Sequence, residues 1–400
     1  MQDFKFHNPT DIRFGRNHID AELHDAVAQF GNNVLFVYGG QSIKKSGLYD
    51  RVKGLLADLN IVELGGVEPN PKLASVQEGQ RLAKEHDIDV ILAVGGGSVV
   101  DASKVIGSAK FYEGDPWDLV IKANGADRNV LPQVPIVDIL TLSATGTEMN
   151  FGSVITNPET HEKYGTQGPN SPAVSFLDPE LTETVPARQT AAGSIDIFSH
   201  LTEQYFDRDD ANDASKGMIE GLMRAVIKWA PVAIADPTNY DARANLMWTA
   251  TMALNGLVGA ANEGGWTVHA LEHELSAYYD ITHGIGLGIL TPRWMDWVLE
   301  DKSTVALFAR FARNVWALSG DDDAQLARDA VQKTYDWIAS LGAEMTLPEV
   351  GIKDDTYFEA MAANAVDHGK LIKRGYVPVT PADAQRIYRD SLVAFRGANN

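Results

Sequence analysis

One aspartate and four histidines stand at spacings that suit a metal site. Asp196 and His200 are four residues apart, and so are His269 and His273, so each pair shares one face of a helix. His283 follows the second pair. Carboxylate and imidazole groups are common ligands of divalent transition metals. The spacing indicates metal binding, although each histidine taken alone is also compatible with a buried structural role.

A run of three glycines, Gly95 to Gly97, precedes Ser98 and forms the second feature that could do chemistry. It lies between an apolar run, residues 89–94, and a helix-like run, residues 99–109. Glycines let the backbone approach a ligand closely, and the first turn of a helix has unpaired N–H donors and partial positive charge. Phosphate commonly binds at such a place. The turn matches neither a Walker A loop nor GxGxxG, so the residues alone also allow a turn without a ligand.

The turn after the first predicted strand bears on which dinucleotide would bind. Nucleotide-binding folds meet the adenosine ribose here, and NAD sites commonly place an acidic residue on its 2′-hydroxyl. No acid follows this strand; residues 39–42 are Gly-Gly-Gln-Ser, and Lys44 and Lys45 come next. Room for a 2′-phosphate favours NADP(H) over NAD(H).

Near the middle of the chain, the predicted secondary structure that must position these residues changes from alternating strands and helices to helices alone. Residues 34–38, 61–64, 89–94 and 135–140 read as strands between helical stretches, which indicates parallel βαβ units. The first three end in Gly-rich turns, which would meet at the carboxyl edge of the sheet. From about residue 186 onward, apolar residues recur at helical spacing. We expect a Rossmann-like α/β domain with a parallel sheet over residues 1–181 and an all-α domain over 182–400.

Composition excludes several classes of site and partner. The 400 residues include no cysteine, which rules out disulfides, iron–sulfur clusters, cysteine-ligated zinc and a cysteine nucleophile. A formal net charge of −20 argues against binding nucleic acid or an anionic membrane surface. No apolar stretch approaches a membrane span, and the first residues lack a secretory signal pattern, so a cytoplasmic protein is expected.

A different hypothesis arises from residues 269–273, which match the His-x-x-Glu-His of inverted zinc proteases, with Glu272 as the base that activates water. That hypothesis leaves the glycine turn, Asp196 and His283 without a role. A metal-dependent hydrolase or lyase without a nucleotide and a non-catalytic binding module are further alternatives.

Taken together, the motifs resemble the iron-containing (group III) alcohol dehydrogenase family, in particular its NADPH-dependent butanol dehydrogenase/aldehyde reductase branch. The resemblance covers almost the full length and rests on these pieces: residues 8–10 and 14–15, 38–40, 65–71, 95–98 with Asp101 and Lys104, 141–148, 178–179, 193–196 with His200, 269–273, and 283–284. A sugar-phosphate cyclase resembling dehydroquinate synthase would share the fold, but such enzymes carry more arginine and lysine at the substrate.

The resemblance implies the chemistry of the site. Asp196, His200, His269 and His283 would hold Fe²⁺ or Zn²⁺, and His273 would lie near the nicotinamide and relay a proton. Residues implied to contact the dinucleotide are Gly39, Gly40, Ser42, Asn70, Pro71, Gly95, Gly96, Gly97, Ser98, Asp101, Thr141, Thr145, Thr147 and Lys163. The expected activity is hydride transfer between NAD(P)(H) and a primary alcohol or aldehyde.

The expected substrate is a small aliphatic alcohol or aldehyde, because residues proposed for its pocket are mostly apolar: Asn150, Phe151, Trp266 and Leu275. A homodimer is expected as well. Residues 4–6 alternate like an edge strand that could pair with a second copy, and the resemblance points the same way.

Overall fold

All four predicted strand runs belong to one parallel sheet in the computed structural model, which describes residues 3–208, 212–260 and 264–397. Within those residues the sheet has six strands in the order β1-β8-β5-β4-β2-β3, and β6 and β7 form a separate antiparallel hairpin. The strands are β1 Asp11–Phe14, β2 Asn33–Tyr38, β3 Asn60–Gly65, β4 Val90–Gly95, β5 Ile136–Leu140, β6 Gly152–Asn157, β7 Glu162–Gln167 and β8 Val174–Leu177.

The register brings the carboxyl ends of neighbouring strands level. Tyr38 of β2 pairs with Gly65 of β3 and with Val94 of β4, and Gly95 of β4 pairs with Leu140 of β5. The turns that follow these strands therefore meet at one edge, as predicted, which is where open α/β sheets bind ligands.

Alternate residues of each central strand enter two separate apolar cores. Leu35 and Val37 pack on one face, whereas Val34 and Phe36 pack on the other. Parallel sheets are covered on both faces, so their strands are apolar throughout and not at every second residue. The first face is covered by α4 and α5, and the second by α1 and α3; the helices of this part of the chain are α1 His18–Ala28, α2 Ser42–Lys45, α3 Leu48–Leu55, α4 Leu73–Glu85, α5 Gly97–Ala109 and α6 Trp117–Ile121.

The second half of the chain is helical, as predicted. Its helices are α7 Ala187–Tyr205, α8 Asp213–Ala235, α9 Tyr240–Leu254, α10 Thr267–Tyr279, α11 His283–Val298, α12 Val305–Asn314, α13 Asp323–Ser340, α14 Phe358–His368, α15 Leu371–Arg374 and α16 Pro381–Asp390. No helix in the described ranges is both long and apolar enough to cross a membrane.

The chain forms two compact units that interleave in sequence. One, the α/β unit, comprises His7–Val185 together with Pro237–Thr251, and the other, the helical unit, contains the remaining described residues. Most of α9 therefore belongs with the α/β unit although it follows α8 in sequence. Independent domains divided at residue 181 stay a prediction.

Two segments near the start of the chain lack the regular structure that their sequence suggests. The helical stretch after β2 is broken between α2 and α3 at Gly47, whose φ of 79° lies in the left-handed region. Residues 3–10 lie outside helix and strand, and Phe4 and Phe6 are 54% and 44% exposed. The alternation seen there is therefore not a strand within this chain.

Candidate metal centre and dinucleotide turn

Three helices of the helical unit bring the aspartate and three histidines together. Asp196 and His200 lie on α7, His269 lies on α10, and His283 is the first residue of α11. The start of α11 lies very close to α7, because a β-carbon at Gly284 would be 2.0 Å from the carbonyl oxygen of Ala192. Only glycine permits that approach, which explains why glycine follows His283.

The four side chains converge on one point. Asp196 Oδ1 lies 3.4 Å from His200 Nε2, 3.6 Å from His269 Nε2 and 3.6 Å from His283 Nε2. Atoms that bind one ion tetrahedrally at about 2.1 Å lie about 3.4 Å from each other. The spacing therefore matches ligand atoms around a shared cation.

Three buried atoms of this cluster have no hydrogen-bond partner among the residues described: His200 Nδ1, which is not the nitrogen facing Asp196, and the two converging atoms Asp196 Oδ1 and His269 Nε2. An unpaired buried polar atom is costly, and a cation between the two atoms would satisfy both. The residues present therefore fit a divalent metal.

Burial and neighbouring charges shift the pKa values of the cluster in different directions. Burial opposes ionisation of Asp196, but the surrounding imidazoles outweigh it and hold its pKa below the ordinary range. Burial is the largest effect on His200 and lowers its pKa to about 3, so this imidazole is neutral with a lone pair to offer. Burial also opposes protonation of His269, but the nearby carboxylates of Asp196 and Glu203 outweigh it and raise its pKa to about 9, so a proton on this ring competes with a cation near neutral pH.

Two glutamates that spacing did not single out as metal-site residues contact the histidines from outside. Glu203 Oε1 accepts a hydrogen bond from His269 Nδ1 at 3.0 Å, and Glu272 Oε2 is bonded to His283 Nδ1. Glu203 lies three residues beyond His200 on α7, a spacing that could have indicated it. Glu272 binds His283, a role the protease hypothesis did not give it.

His273 stands beside this cluster. Its ring centroid lies 5.6 Å from that of His283 and 6.3 Å from that of His269, and it is half-buried. The ring centroid of Trp266 lies 5.4 Å from that of His269 and 6.2 Å from that of His200. Leu275, also expected in a substrate pocket, is fully buried in α10.

The glycine turn in the α/β unit joins β4 to the first residues of α5, as predicted. Gly95 ends the strand, and Gly97 and Ser98 begin the helix. A β-carbon at Gly97 would lie 2.4 Å from Thr145 Oγ1, so the turn after β5 packs directly against this helix start. Thr141 joins the same region because its N–H donates to the Gly95 carbonyl at 2.9 Å.

A buried lysine fixes the segment that carries Thr145 and Thr147. Lys104 Nζ lies 2.7–3.0 Å from five oxygens, two on Thr147, two on Asn150 and the carbonyl of Gly152. Burial lowers the pKa of Lys104 to about 8. Asp101 contributes to the same network, accepting from Thr147 Oγ1 at 2.6 Å and from the Val154 N–H at 2.8 Å.

The remaining residues named for the dinucleotide lie on the same sheet edge. Lys163 of the hairpin donates to Asn70 Oδ1 at 3.0 Å, and Pro71 accepts a backbone bond from Thr156 at 2.8 Å. Gly39 follows β2 and accepts from the Gly66 N–H at 2.9 Å, Gly40 is exposed, and Ser42 begins α2.

Two family models together match most of the chain. The model described as iron-containing alcohol dehydrogenase matches residues 9–179, and the model of the C-terminal part of the Fe-containing alcohol dehydrogenase family matches residues 190–392. The chain belongs to the iron-containing alcohol dehydrogenase family. This family member is therefore an oxidoreductase of the alcohol dehydrogenase type, as predicted, and the hydrolase, lyase and cyclase alternatives find no support.

Relatives of this iron-containing alcohol dehydrogenase match it end to end. NADH-dependent butanol dehydrogenase A of Clostridium acetobutylicum is 42% identical over 98% of this chain and 100% of its own. The NADPH-dependent aldehyde reductase YqhD of Escherichia coli is 34% identical over 97% and 99%. The crystal structure of NADH-dependent butanol dehydrogenase A from Thermotoga maritima has a TM-score of 0.89 at 38% identity, covering 98% and 99%.

Proposed function

We propose that this enzyme transfers hydride between NAD(P)(H) and small aliphatic aldehydes or primary alcohols at a divalent metal held by Asp196, His200, His269 and His283. The observation that carries the proposal is the meeting of one carboxylate oxygen and three imidazole nitrogens within 3.6 Å of that oxygen. The names of the relatives, butanol dehydrogenases and an aldehyde reductase, support the substrate class.

Fe²⁺ and Zn²⁺ are the proposed ions, because three nitrogen ligands and one carboxylate suit both. When bound, the ion supplies Lewis acidity toward the substrate oxygen while the nicotinamide supplies or accepts the hydride. Asp196 contributes a negative charge, and each imidazole contributes a lone pair once its Nε2 carries no proton. We assign His273 to proton transfer with the substrate oxygen, because imidazole exchanges protons readily near neutral pH and this ring stands beside the four proposed ligands.

In the α/β unit, we assign the pyrophosphate to the backbone N–H groups of Gly95 to Ser98 at the start of α5. Thr141, Thr145 and Thr147 offer hydroxyls around that turn, and Asp101 acts through Thr147, whose hydroxyl it binds. Toward the other end of the cofactor, Lys163 faces the ribose, and the adenosine side is formed by Asn70, Pro71, Gly39, Gly40 and Ser42.

The proposal is tested by initial rates with NADPH and NADH across aldehydes of two to six carbons, before and after metal extraction. We expect a chelator to abolish reduction and Fe²⁺ or Zn²⁺ to restore it. Full activity in metal-free buffer would contradict the metal role. Unchanged NADPH fluorescence on mixing with the enzyme would contradict dinucleotide binding.

We propose further that NADP(H) is preferred over NAD(H), because the turn after β2 carries no carboxylate. Relatives bear names of both kinds, NADH-dependent and NADPH-dependent. Lys45 is exposed beside the turn, whereas Lys44 Nζ lies 5.1 Å from the ring centroid of Tyr38. The proposed preference thus depends more on the lack of a carboxylate that would repel the 2′-phosphate than on a lysine that binds it.

Gly40→Asp is expected to lower the ratio of kcat/KM for NADPH to that for NADH by about 10–100-fold, since a carboxylate near the 2′-phosphate adds about 1–3 kcal/mol of repulsion. The substitution fits, because a β-carbon at Gly40 has no described atom within 4 Å. Gly40→Asn is the control of equal size without charge. An equal change in both variants would refute the electrostatic reason.

We also propose a cytoplasmic homodimer. Phe4 and Phe6 are exposed apolar side chains, and the first strand that follows them in sequence, β1, is an edge strand whose one partner among the described residues is β8. A second copy would cover them, and edge strands readily take a further partner. Sedimentation equilibrium giving the mass of one chain at micromolar concentration would contradict the dimer.

A further inference from the structure

We propose that Glu203 and Glu272 are positioning residues that orient the imidazoles of His269 and His283, and thereby set the metal affinity of the site. The inference rests on the proposed function, because it takes these two histidines as metal ligands. Each glutamate contacts the ring nitrogen that points away from Asp196.

Glu203 holds the ring of His269 by two hydrogen bonds to one oxygen. Its Oε1 accepts from the backbone N–H of His269 at 2.7 Å and from Nδ1 at 3.0 Å, and the side chain is 1% exposed. A neutral imidazole that donates from Nδ1 has its lone pair on Nε2. Nε2 of His269 lies 3.6 Å from Asp196 Oδ1, so the lone pair is on the side of the proposed metal.

Glu272 acts on His283 in the same way. Its Oε2 accepts from His283 Nδ1, its Oε1 accepts from the Ser276 hydroxyl, and the carboxylate is fully buried. The chain leaves room for it, because a β-carbon at Gly286 would lie 2.8 Å from Glu272 Cγ. Each oxygen of the carboxylate is therefore held by one hydrogen bond.

Glu272, His273 and His283 also offer ligand atoms within 4.8 Å of one another, which raises the alternative of a second metal. However, His283 turns its Nε2 toward Asp196 and its Nδ1 toward Glu272. A neutral imidazole has one lone pair, so donation to Glu272 leaves none for a second ion there. The geometry therefore assigns Glu272 as an acceptor that fixes the orientation and tautomer of the His283 ring.

The test measures binding of Co²⁺ to the metal-free full-length enzyme by equilibrium dialysis, alongside its visible absorption. Loss of such an outer contact typically weakens metal binding 10–100-fold, and we expect this for Glu272→Gln and for Glu203→Gln. Glutamine keeps the size and an accepting oxygen but removes the charge. A merely structural carboxylate would tolerate it with unchanged Co²⁺ affinity.

Glu274→Gln is the matched control: Glu274 is a buried carboxylate on the same helix, α10, and is placed outside the metal site. We expect its Co²⁺ affinity to equal that of the unaltered enzyme. If the Glu272→Gln and Glu203→Gln variants bind Co²⁺ as tightly as the unaltered enzyme, the inference is overturned while the metal site stands. Failure of the unaltered enzyme to bind Co²⁺ would overturn the metal assignment and this inference with it.

Thermal unfolding without metal checks that each variant folds. Should the glutamine variants fail that check, Ser276→Ala provides the second route, because it removes a donor to Glu272 without touching either histidine. The loss of one such hydrogen bond corresponds to about a two- to fivefold weaker Co²⁺ affinity. Unchanged affinity in Ser276→Ala would overturn the role of Glu272.

Discussion

Replacing His269 with alanine is expected to lower kcat/KM for butanal with NADPH by about a thousandfold or more, because Lewis-acid stabilisation is worth several kcal/mol. The substitution removes one of the three imidazole nitrogens that lie within 3.6 Å of Asp196 Oδ1. The fold should persist, since the backbone N–H of residue 269 still donates to Glu203. Steady-state rates, metal content and the melting temperature of the apoenzyme measure these effects separately.

His368→Ala is the control for that experiment. His368 is an exposed histidine on α14 of the same unit, so its loss should change neither metal content nor rate. A His269→Ala enzyme with a full metal complement and ordinary activity would mean that the four-residue cluster is not the catalytic centre.

The second large effect is expected from Gly97→Ala, which should weaken NADPH binding by about a hundredfold or more. The new β-carbon would lie 2.4 Å from Thr145 Oγ1 and 2.8 Å from Thr145 Cγ2, so the helix start and the turn after β5 must separate. The backbone N–H groups that we assign to the pyrophosphate would then move away from the positions in which they can bind it. Overpacking of this kind also costs about 1–3 kcal/mol of unfolding free energy.

Gly54→Ala tests the same chemical change where space exists. Gly54 lies in α3 of the same unit, and its β-carbon would meet no described atom within 4 Å. Helical glycine to alanine usually gains about 0.5–1 kcal/mol, so this variant should be at least as stable and bind NADPH normally. NADPH fluorescence titration and denaturant unfolding distinguish the two variants. Equal NADPH affinity in both would contradict the placement of the pyrophosphate.

Sequence reasoning found the parts of the site that depend on local spacing. Asp196 and His200 lie on one helix at four-residue spacing, so their proximity follows from helical geometry alone. The glycine turn was identifiable because an apolar strand, three glycines and a helix adjoin in sequence. Four strands of the sheet were visible as short apolar runs for the same reason.

Features that depend on packing between distant segments were not predictable. The strands β1 and β8 have four residues each, too few for a clear pattern, and the hairpin carrying Lys163 is largely polar. Most of α9 belongs to the α/β unit, although it follows α7 and α8 of the helical unit in sequence. The approach of α11 to α7 depends on a single missing β-carbon at Gly284. The spacing of apolar residues in a single sequence does not indicate which distant segments pack against each other.

The five oxygens around the Lys104 ammonium group have a consequence for how the enzyme meets its cofactor. Segment 147–152 consists of a single 3-10 turn, Thr147–Met149, two further residues and the start of β6, and one cation ties it to α5 from within. The loss of conformational entropy for that segment is incurred once, when the chain folds, and is not repeated at each turnover. The connection between β5 and β6 is thereby ordered by the fold itself before a ligand binds.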